Sequence, residues 1–153
     1  MTLIAIAGTF AGAAASGVVS VVPAGASPAA RVARTIEVKD TAKLHEVHSN
    51  GNSRTETGPV TGTIPGMAYV TVNVSGAKAS IMFRFELSGG TLRGRGTGTI
   101  HIGGGPYASL AGNGAITGGT GRYARASGSG RLYGAENRFS HSGTFEVIGR
   151  LKY

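Results

Sequence analysis

The sequence predicts an all-β fold, a single eight-stranded antiparallel up-and-down β-barrel. Short stretches in which apolar and polar residues alternate are separated by clusters of Gly, Asn, Pro or Ser. Glycine supplies 27 of the 153 residues, a content that suits tight turns and sharply bent strands better than helices. Eight such strands can close into a barrel without exposed edges. An open two-sheet sandwich is the structural alternative.

The eight stretches follow a short polar lead at residues 31–40, with no long linker between them. They cover residues 42–48, 54–64, 67–74, 79–87, 91–102, 107–116, 126–133 and 143–153. The turn signal Asn50-Gly51-Asn52 separates the first two, and Ser88-Gly89-Gly90 separates the fourth and fifth.

Strict alternation identifies the third, fourth and eighth strands. In the fourth, Phe83 and Phe85 share one face with Ile81, whereas Arg84 and Glu86 share the other. A period of two residues is typical of a strand. The pattern leaves open which of the two faces lines the lumen.

A weak repeat supports the fifth, sixth and seventh strands. The segments Gly96-Thr97-Gly98, Gly112-Asn113-Gly114 and Gly128-Ser129-Gly130 recur every sixteen residues. One strand and one turn of that length, repeated by neighbours, describe an antiparallel meander. Glycines at matching levels let such strands bend and approach one another.

Residues 1–30 carry no charged side chain and read as a secretory signal peptide. An Ala, Gly and Val-rich run ends in Pro23-Ala24-Gly25-Ala26, and a small-x-small pattern predicts cleavage after Ala26 or Ala30. The mature domain is then residues 31–153, and we expect it to be secreted, either extracellular or in the cell envelope.

The whole net charge of +8 belongs to residues 31–153, where 15 Lys and Arg face 7 Asp and Glu. An exported basic protein is attracted to anionic cell-envelope polymers. Nucleic acid is not an expected partner, because five Phe, five Tyr and no Trp offer few stacking platforms. The absence of cysteine excludes disulfides and thiolate chemistry.

The glycine-rich stretch ITGGTGRYARASG, residues 116–128, could be a phosphate loop or a strand-to-strand corner. A phosphate loop needs a helix after its glycines, and residues 122–134 are too rich in Gly and Ser to form one. We therefore interpret Gly118, Gly119 and Gly121 as a structural corner in which Tyr123 covers the bend.

The same residues carry a family resemblance. Ile116-Thr117-Gly118-Gly119-Thr120-Gly121-Arg122-Tyr123, followed by Ala124, Ala126 and Gly128, resembles the I-T-G-G-T/S-G-x-Y/F…A-x-G signature of the allene oxide cyclase and dirigent barrel superfamily. The preceding segment from Gly104 to Gly114 is similar to bacterial members, as is the C-terminal strand. The resemblance is specific over about residues 90–134 and topological elsewhere.

The resemblance implies an eight-stranded barrel that binds hydrophobic metabolites in its lumen, often as a homotrimer, with neither a metal nor an organic cofactor. Plant cyclases of this superfamily close an unstable epoxide, dirigent proteins steer radical coupling, and some bacterial barrels promote cycloadditions. We therefore expect an exported barrel that binds a small hydrophobic metabolite and guides or catalyses a cofactor-free cyclisation or coupling. The alternative is a non-catalytic secreted or envelope-associated binding protein that acts through its basic surface.

Candidate site residues are few, because the chain has only seven acids. They are Glu37, Asp40, Glu46, Glu56, Glu86, Glu136 and Glu146. Glu86 is the catalytic candidate, since a carboxyl among apolar neighbours could exchange protons with a ligand. Its phase matches Arg84, however, so an ion pair in solvent is the alternative.

The candidate ligand contacts are Arg84, Phe83, Phe85, Tyr107 and Tyr123. No metal is expected, because His45 and His48 point to opposite faces of a strand and His101 and His141 have no acidic or sulfur neighbours at ligand spacing.

Overall fold

The computed structural model describes residues 33–153, which form a closed barrel of eight antiparallel strands. The strands are β1 Thr35–Asn50, β2 Ser53–Gly62, β3 Gly66–Ser75, β4 Lys78–Leu87, β5 Gly90–Ile102, β6 Tyr107–Gly119, β7 Ser127–Asn137 and β8 Ser142–Lys152. Each strand pairs with the next, and β1 pairs with β8. The predicted fold class is thereby confirmed and the open sandwich is excluded. The predicted signal peptide lies outside the described residues.

The polar lead predicted at residues 31–40 is wrong from Thr35 onward, where β1 has already begun. Ile36 and Val38 lie opposite Leu151 and Gly149 of β8, and their side chains pack toward the core. This half of β1 is the segment that closes the barrel. Its charged outward residues concealed the alternation in the sequence.

The apolar face of each strand lines the lumen, and the polar face meets solvent. On β4, Ala79 and Ile81 are buried and Phe83 and Phe85 are half-buried, whereas Met82 is exposed. The rings of Phe83 and Phe85 stack with their centroids 5.0 Å apart. The sequence left open which face of each strand lines the lumen, and the structure shows that it is the apolar face.

Glycines form one wall of the lumen. Gly96, Gly114, Gly130 and Gly149 lie opposite one another in register across β5, β6, β7 and β8. A Cβ atom built on Gly96 would lie 2.7 Å from the Asn113 carbonyl oxygen. Each segment of the sixteen-residue repeat thus contributes one glycine to this row, and Gly149 of β8 adds the fourth.

The barrel has two distinct ends. The Tyr123 end comprises the connections at residues 63–65, 88–89 and 120–126, together with the first residues of β1 and the last of β8. The Phe139 end comprises the connections at residues 51–52, 76–77, 103–106 and 138–141.

The Tyr123 end is closed by a one-turn 3-10 helix, Gly121–Tyr123. The Tyr123 side chain is 2% exposed and packs with Leu92, Ala126 and Leu151. Gly121 adopts a φ of +59° there, and a Cβ on it would lie 2.2 Å from the Gly89 carbonyl oxygen. No helix within residues 33–153 has the length and apolar character needed to span a membrane.

Candidate functional site

The lumen contains an apolar cavity of about 120 Å³. Its side-chain lining is drawn mainly from Val38, Ala42, Leu44, Val60, Ile64, Val70, Val72, Ile81, Phe83, Phe85, Leu87, Leu92, Leu110, Ile116, Leu132, Phe145, Val147 and Leu151, with the acids Asp40 and Glu56. The row of glycines leaves this space free on the β5–β8 side. Cavities of about 150 Å³ lined by Leu, Ile and Phe stay dry and accept one benzene molecule.

Glu56 is the ionisable group on which the chemistry of this cavity depends. It lies on β2 opposite Val70, which faces the lumen, and the residue is only 4% exposed. Within residues 33–153 no side chain or backbone amide donates a hydrogen bond to its carboxyl. The carboxyl therefore borders the cavity with its hydrogen-bonding capacity unused.

The pKa of Glu56 is raised from its ordinary 4.5 to about 7, and burial is the largest cause. The negative charge of Glu136 contributes to this rise, the positive charge of Arg54 opposes it, and Glu46 adds a smaller increase. Near neutral pH the Glu56 carboxyl therefore exists in both protonation states, which lets it either donate or accept a proton.

The acids around Glu56 have partners of their own. Glu136, on β7, forms a buried ion pair with Arg54 of β2. Glu46, opposite Glu56 on β1, lies 3.4 Å from the His141 imidazole. Glu56 is left as the unpaired member of this group.

A second, smaller space of about 30 Å³ lies at the Phe139 end beside Arg54 and Glu136. It shares Glu56, Val72, Leu110 and Phe145 with the lining of the main cavity. The Glu56 carboxyl thus stands between the lumen and the Phe139 end of the barrel.

Asp40, the other acid lining the cavity, has a structural partner. It accepts a hydrogen bond from the Ile64 amide at 2.9 Å and so holds the β2–β3 connection. Burial raises its pKa, and the hydrogen bonds from Ile64 and Thr63 partly offset that effect. With its oxygen engaged by the backbone, Asp40 is less suited than Glu56 to receive a ligand.

The sequence-predicted residues fall in different places. Phe83 and Phe85 line the cavity. Glu86 and Arg84 lie on the outer face of β4, where the two side chains form an ion pair of 3.0 Å. The Arg84 guanidinium also lies 4.8 Å from the centre of the Tyr69 ring. The structure therefore places the catalytic candidate in solvent, as its phase in the strand had indicated.

The two tyrosine candidates lie outside the cavity lining. Tyr107 is exposed at the Phe139 end. Tyr123 closes the opposite end, where its ring lies 5.0 Å from that of Tyr153. Gly118, with a φ of +146°, and Gly119 form the corner that leads into the 3-10 turn.

Sequence reasoning missed Glu56 and Glu136, although the sequence holds a signal for both. Glu56 shares its strand phase with Val60, and Glu136 shares its phase with Leu132, whereas Glu86 shares its phase with Arg84. An acid in phase with the apolar residues of its own strand points into the barrel. In β2 this signal is weak, because Gly58 carries no side chain to mark the inward face.

Comparisons of the chain with protein-family models, with curated proteins and with solved structures found no match. The resemblance to the allene oxide cyclase and dirigent superfamily therefore stays a prediction. Within residues 33–153, no three His, Asp or Glu side chains are grouped so that they could hold a metal ion.

Proposed function

We propose that this protein binds one small hydrophobic molecule in its lumen and that Glu56 binds the polar group of that molecule. The observation that carries the proposal is the unpaired, buried carboxyl of Glu56 at the edge of an apolar cavity. A carboxyl in such a place costs stability unless a ligand makes use of it.

The cavity volume limits the size of the ligand. Pockets for drug-sized molecules measure about 300–1,000 Å³, whereas this lumen measures about 120 Å³. The proposed ligand is therefore a single ring or a short branched chain with one hydrogen-bond donor. A larger metabolite would require the barrel wall or one of its ends to move.

Glu56 also supplies a route to chemistry without a cofactor. A carboxyl that titrates near neutral pH can protonate or deprotonate a bound ligand, and rigid apolar walls can hold that ligand in one orientation. This agrees with the cofactor-free cyclisation or coupling that the family resemblance implies. We include such a step in the proposal as the activity of the same site.

Two probes of equal size test the binding site. We expect p-xylene and p-cresol both to bind in the lumen of the purified protein, with p-cresol binding more tightly because its hydroxyl donates to Glu56. Glu56→Leu, whose side chain accepts no hydrogen bond, should abolish most of this preference while p-xylene binding persists. Isothermal titration calorimetry at pH 6 and pH 8 would measure both affinities.

Gly114→Val provides the matched test of location. Its added methyl groups enter the cavity, and we expect both probes to lose binding at least tenfold. Ala111→Val, an exposed position on the same strand, serves as the control and should leave both affinities unchanged. If neither probe nor an extract of apolar metabolites binds the folded wild-type protein, the lumen proposal is wrong.

The basic surface remains the second candidate function. A net charge of +8 supports it. Binding to an anionic envelope polymer that weakens steeply with salt, with no ligand in the lumen, would favour this role.

A further inference from the structure

Four large apolar side chains stand in solvent at the Phe139 end of the barrel. The exposed fractions are 54% for Val47, 63% for Ile102, 60% for Tyr107 and 78% for Phe139. We call these four residues the apolar rim. Isolated exposed apolar residues are ordinary, but a group at one end of a molecule indicates a surface that binds something.

The members of the apolar rim lie on adjoining segments of chain. The Arg138 amide donates a hydrogen bond to the Pro106 carbonyl at 2.8 Å, which joins the loop holding Phe139 to the loop between Ile102 and Tyr107. The Glu46 amide donates to the His141 carbonyl at 2.9 Å, which brings β1 and Val47 beside the same loop. The four residues of the rim therefore lie on neighbouring segments of chain at one end of the barrel.

The Lys, Arg, Asp and Glu side chains that are exposed at this end are all basic among the described residues. Lys78 and Arg138 are exposed, together with the imidazoles of His48, His101 and His141. The three acids of this end, Glu46, Glu56 and Glu136, are half-buried or buried. At the Tyr123 end the acids Glu37 and Glu86 are exposed among the basic residues Arg34, Arg122, Arg125 and Lys152.

We propose that the Phe139 end docks onto the surface of an anionic phospholipid bilayer. Aromatic and aliphatic side chains enter the boundary between head groups and acyl chains, and basic residues beside them are attracted to anionic head groups. A wall polymer would use the basic charge alone and would leave the apolar rim in water. The bilayer uses both features of this end.

Docking by this end would direct the small space beside Glu56 toward the hydrocarbon. Apolar molecules dissolved in the bilayer would then reach the barrel without crossing water. The docking inference itself rests on the outer surface and stands whether or not the lumen holds a ligand.

The test is co-sedimentation of the purified protein with vesicles. We expect binding to vesicles of phosphatidylglycerol and phosphatidylcholine, and much weaker binding to phosphatidylcholine alone. Phe139→Ser should weaken binding to the anionic vesicles about tenfold, the effect of withdrawing one inserted phenyl ring from hydrocarbon. Because every variant carries the same N-terminal residues, differences between variants report on the rim.

Matched controls separate the rim from the rest of the surface. Met82→Ser removes an apolar side chain that is 56% exposed on the outer wall of β4 and should leave vesicle binding unchanged. Lys78→Gln should weaken binding, whereas Lys152→Gln at the Tyr123 end should weaken it less.

Two results would overturn the proposal. The first is a failure of the wild-type protein to bind anionic vesicles, which would leave a protein partner as the occupant of the rim. The second is equal binding by the wild type and Phe139→Ser, together with comparable binding to polyphosphate. That pattern would show adsorption by charge alone.

Discussion

The glycines of this barrel differ widely in how much room they leave for a side chain. A Cβ on Gly112 would lie 2.2 Å from the Thr97 carbonyl oxygen, too close for any side chain. On Gly114, two residues along the same strand, the nearest atom would be a ring carbon of Phe83 at 3.6 Å, an ordinary contact. Both residues face the lumen, so the difference between them comes from the neighbouring backbone.

The two glycines yield the first prediction. Gly114→Ala should be neutral or stabilising by about 0.4–1 kcal/mol, because alanine restricts the unfolded chain without straining the strand. Gly112→Ala should lower the free energy of unfolding by more than about 2 kcal/mol, because the backbone must shift. Urea denaturation of both variants measures the difference, and equal stabilities would contradict the geometry.

Glu56 gives a pH-dependent prediction. Its pKa in the folded protein, about 7, exceeds its ordinary value of 4.5, so the folded state binds the proton more tightly than the unfolded chain. The stability associated with the protonated carboxyl is fully present below about pH 4.5 and is lost as the pH rises through about 7. The loss amounts to up to about 3 kcal/mol.

Glu56→Gln should therefore flatten the dependence of unfolding free energy on pH between 5 and 8. The variant should be more stable than the wild type at pH 8 and similar to it at pH 5. Glu86→Gln, at an exposed carboxyl on the outer face, is the control and should keep the wild-type dependence. A wild type equally stable at both pH values would count against the buried, unpaired carboxyl.

Among the elements, the 3-10 turn at Gly121–Tyr123 gives the Tyr123 end its packing. Its tyrosine fills the space between Leu92 and Leu151, and the Arg122 guanidinium lies 5.0 Å from the centre of the same ring. The short turn therefore packs an aromatic ring against the apolar residues at this end of the barrel.

Removing the ring should cost much more than removing its hydroxyl. We expect Tyr123→Ala to lower the free energy of unfolding by about 3–5 kcal/mol, the range for deleting a buried aromatic side chain. Tyr123→Phe should be close to neutral, because the hydroxyl forms no hydrogen bond within residues 33–153. Thermal and urea unfolding would compare the two, and a large loss in Tyr123→Phe would point to a polar role.

Element types could be predicted from the sequence because alternation and glycine clusters are local signals. The start of β1 could not, because residues 35–39 have strand partners only in β8, more than a hundred positions away in the chain. The same limit hid the grouping of Glu46, Glu56 and Glu136. Their strands are brought together only when the barrel closes.

At the scale of the whole molecule, closure removes every free strand edge from the described sheet. Strand β1 is paired with β8 from Thr35 to His45 and with β2 from Asp40 to Asn50, so its central residues have partners on both sides, as strands in the middle of the sequence do. Stability should therefore be shared around the barrel instead of declining toward its first and last strands.

Hydrogen exchange followed by NMR tests this closure. Amides of Asp40 to His45 in β1, which lie between β2 and β8, should exchange as slowly as those of β4, while amides of the loop at residues 103–106 exchange quickly. Fast exchange confined to the first half of β1 would show that the barrel opens at the β1–β8 seam.

The row of glycines also has an evolutionary consequence. Along Gly96, Gly114, Gly130 and Gly149, a side chain at three of the positions would collide with a neighbouring backbone, and Gly114 alone has room. A substitution at Gly114 can therefore reduce the size of the lumen, whereas the other three positions must stay glycine for the barrel to fold. Descendants of this barrel that bind smaller molecules should differ first at position 114, by Ala and then by larger residues.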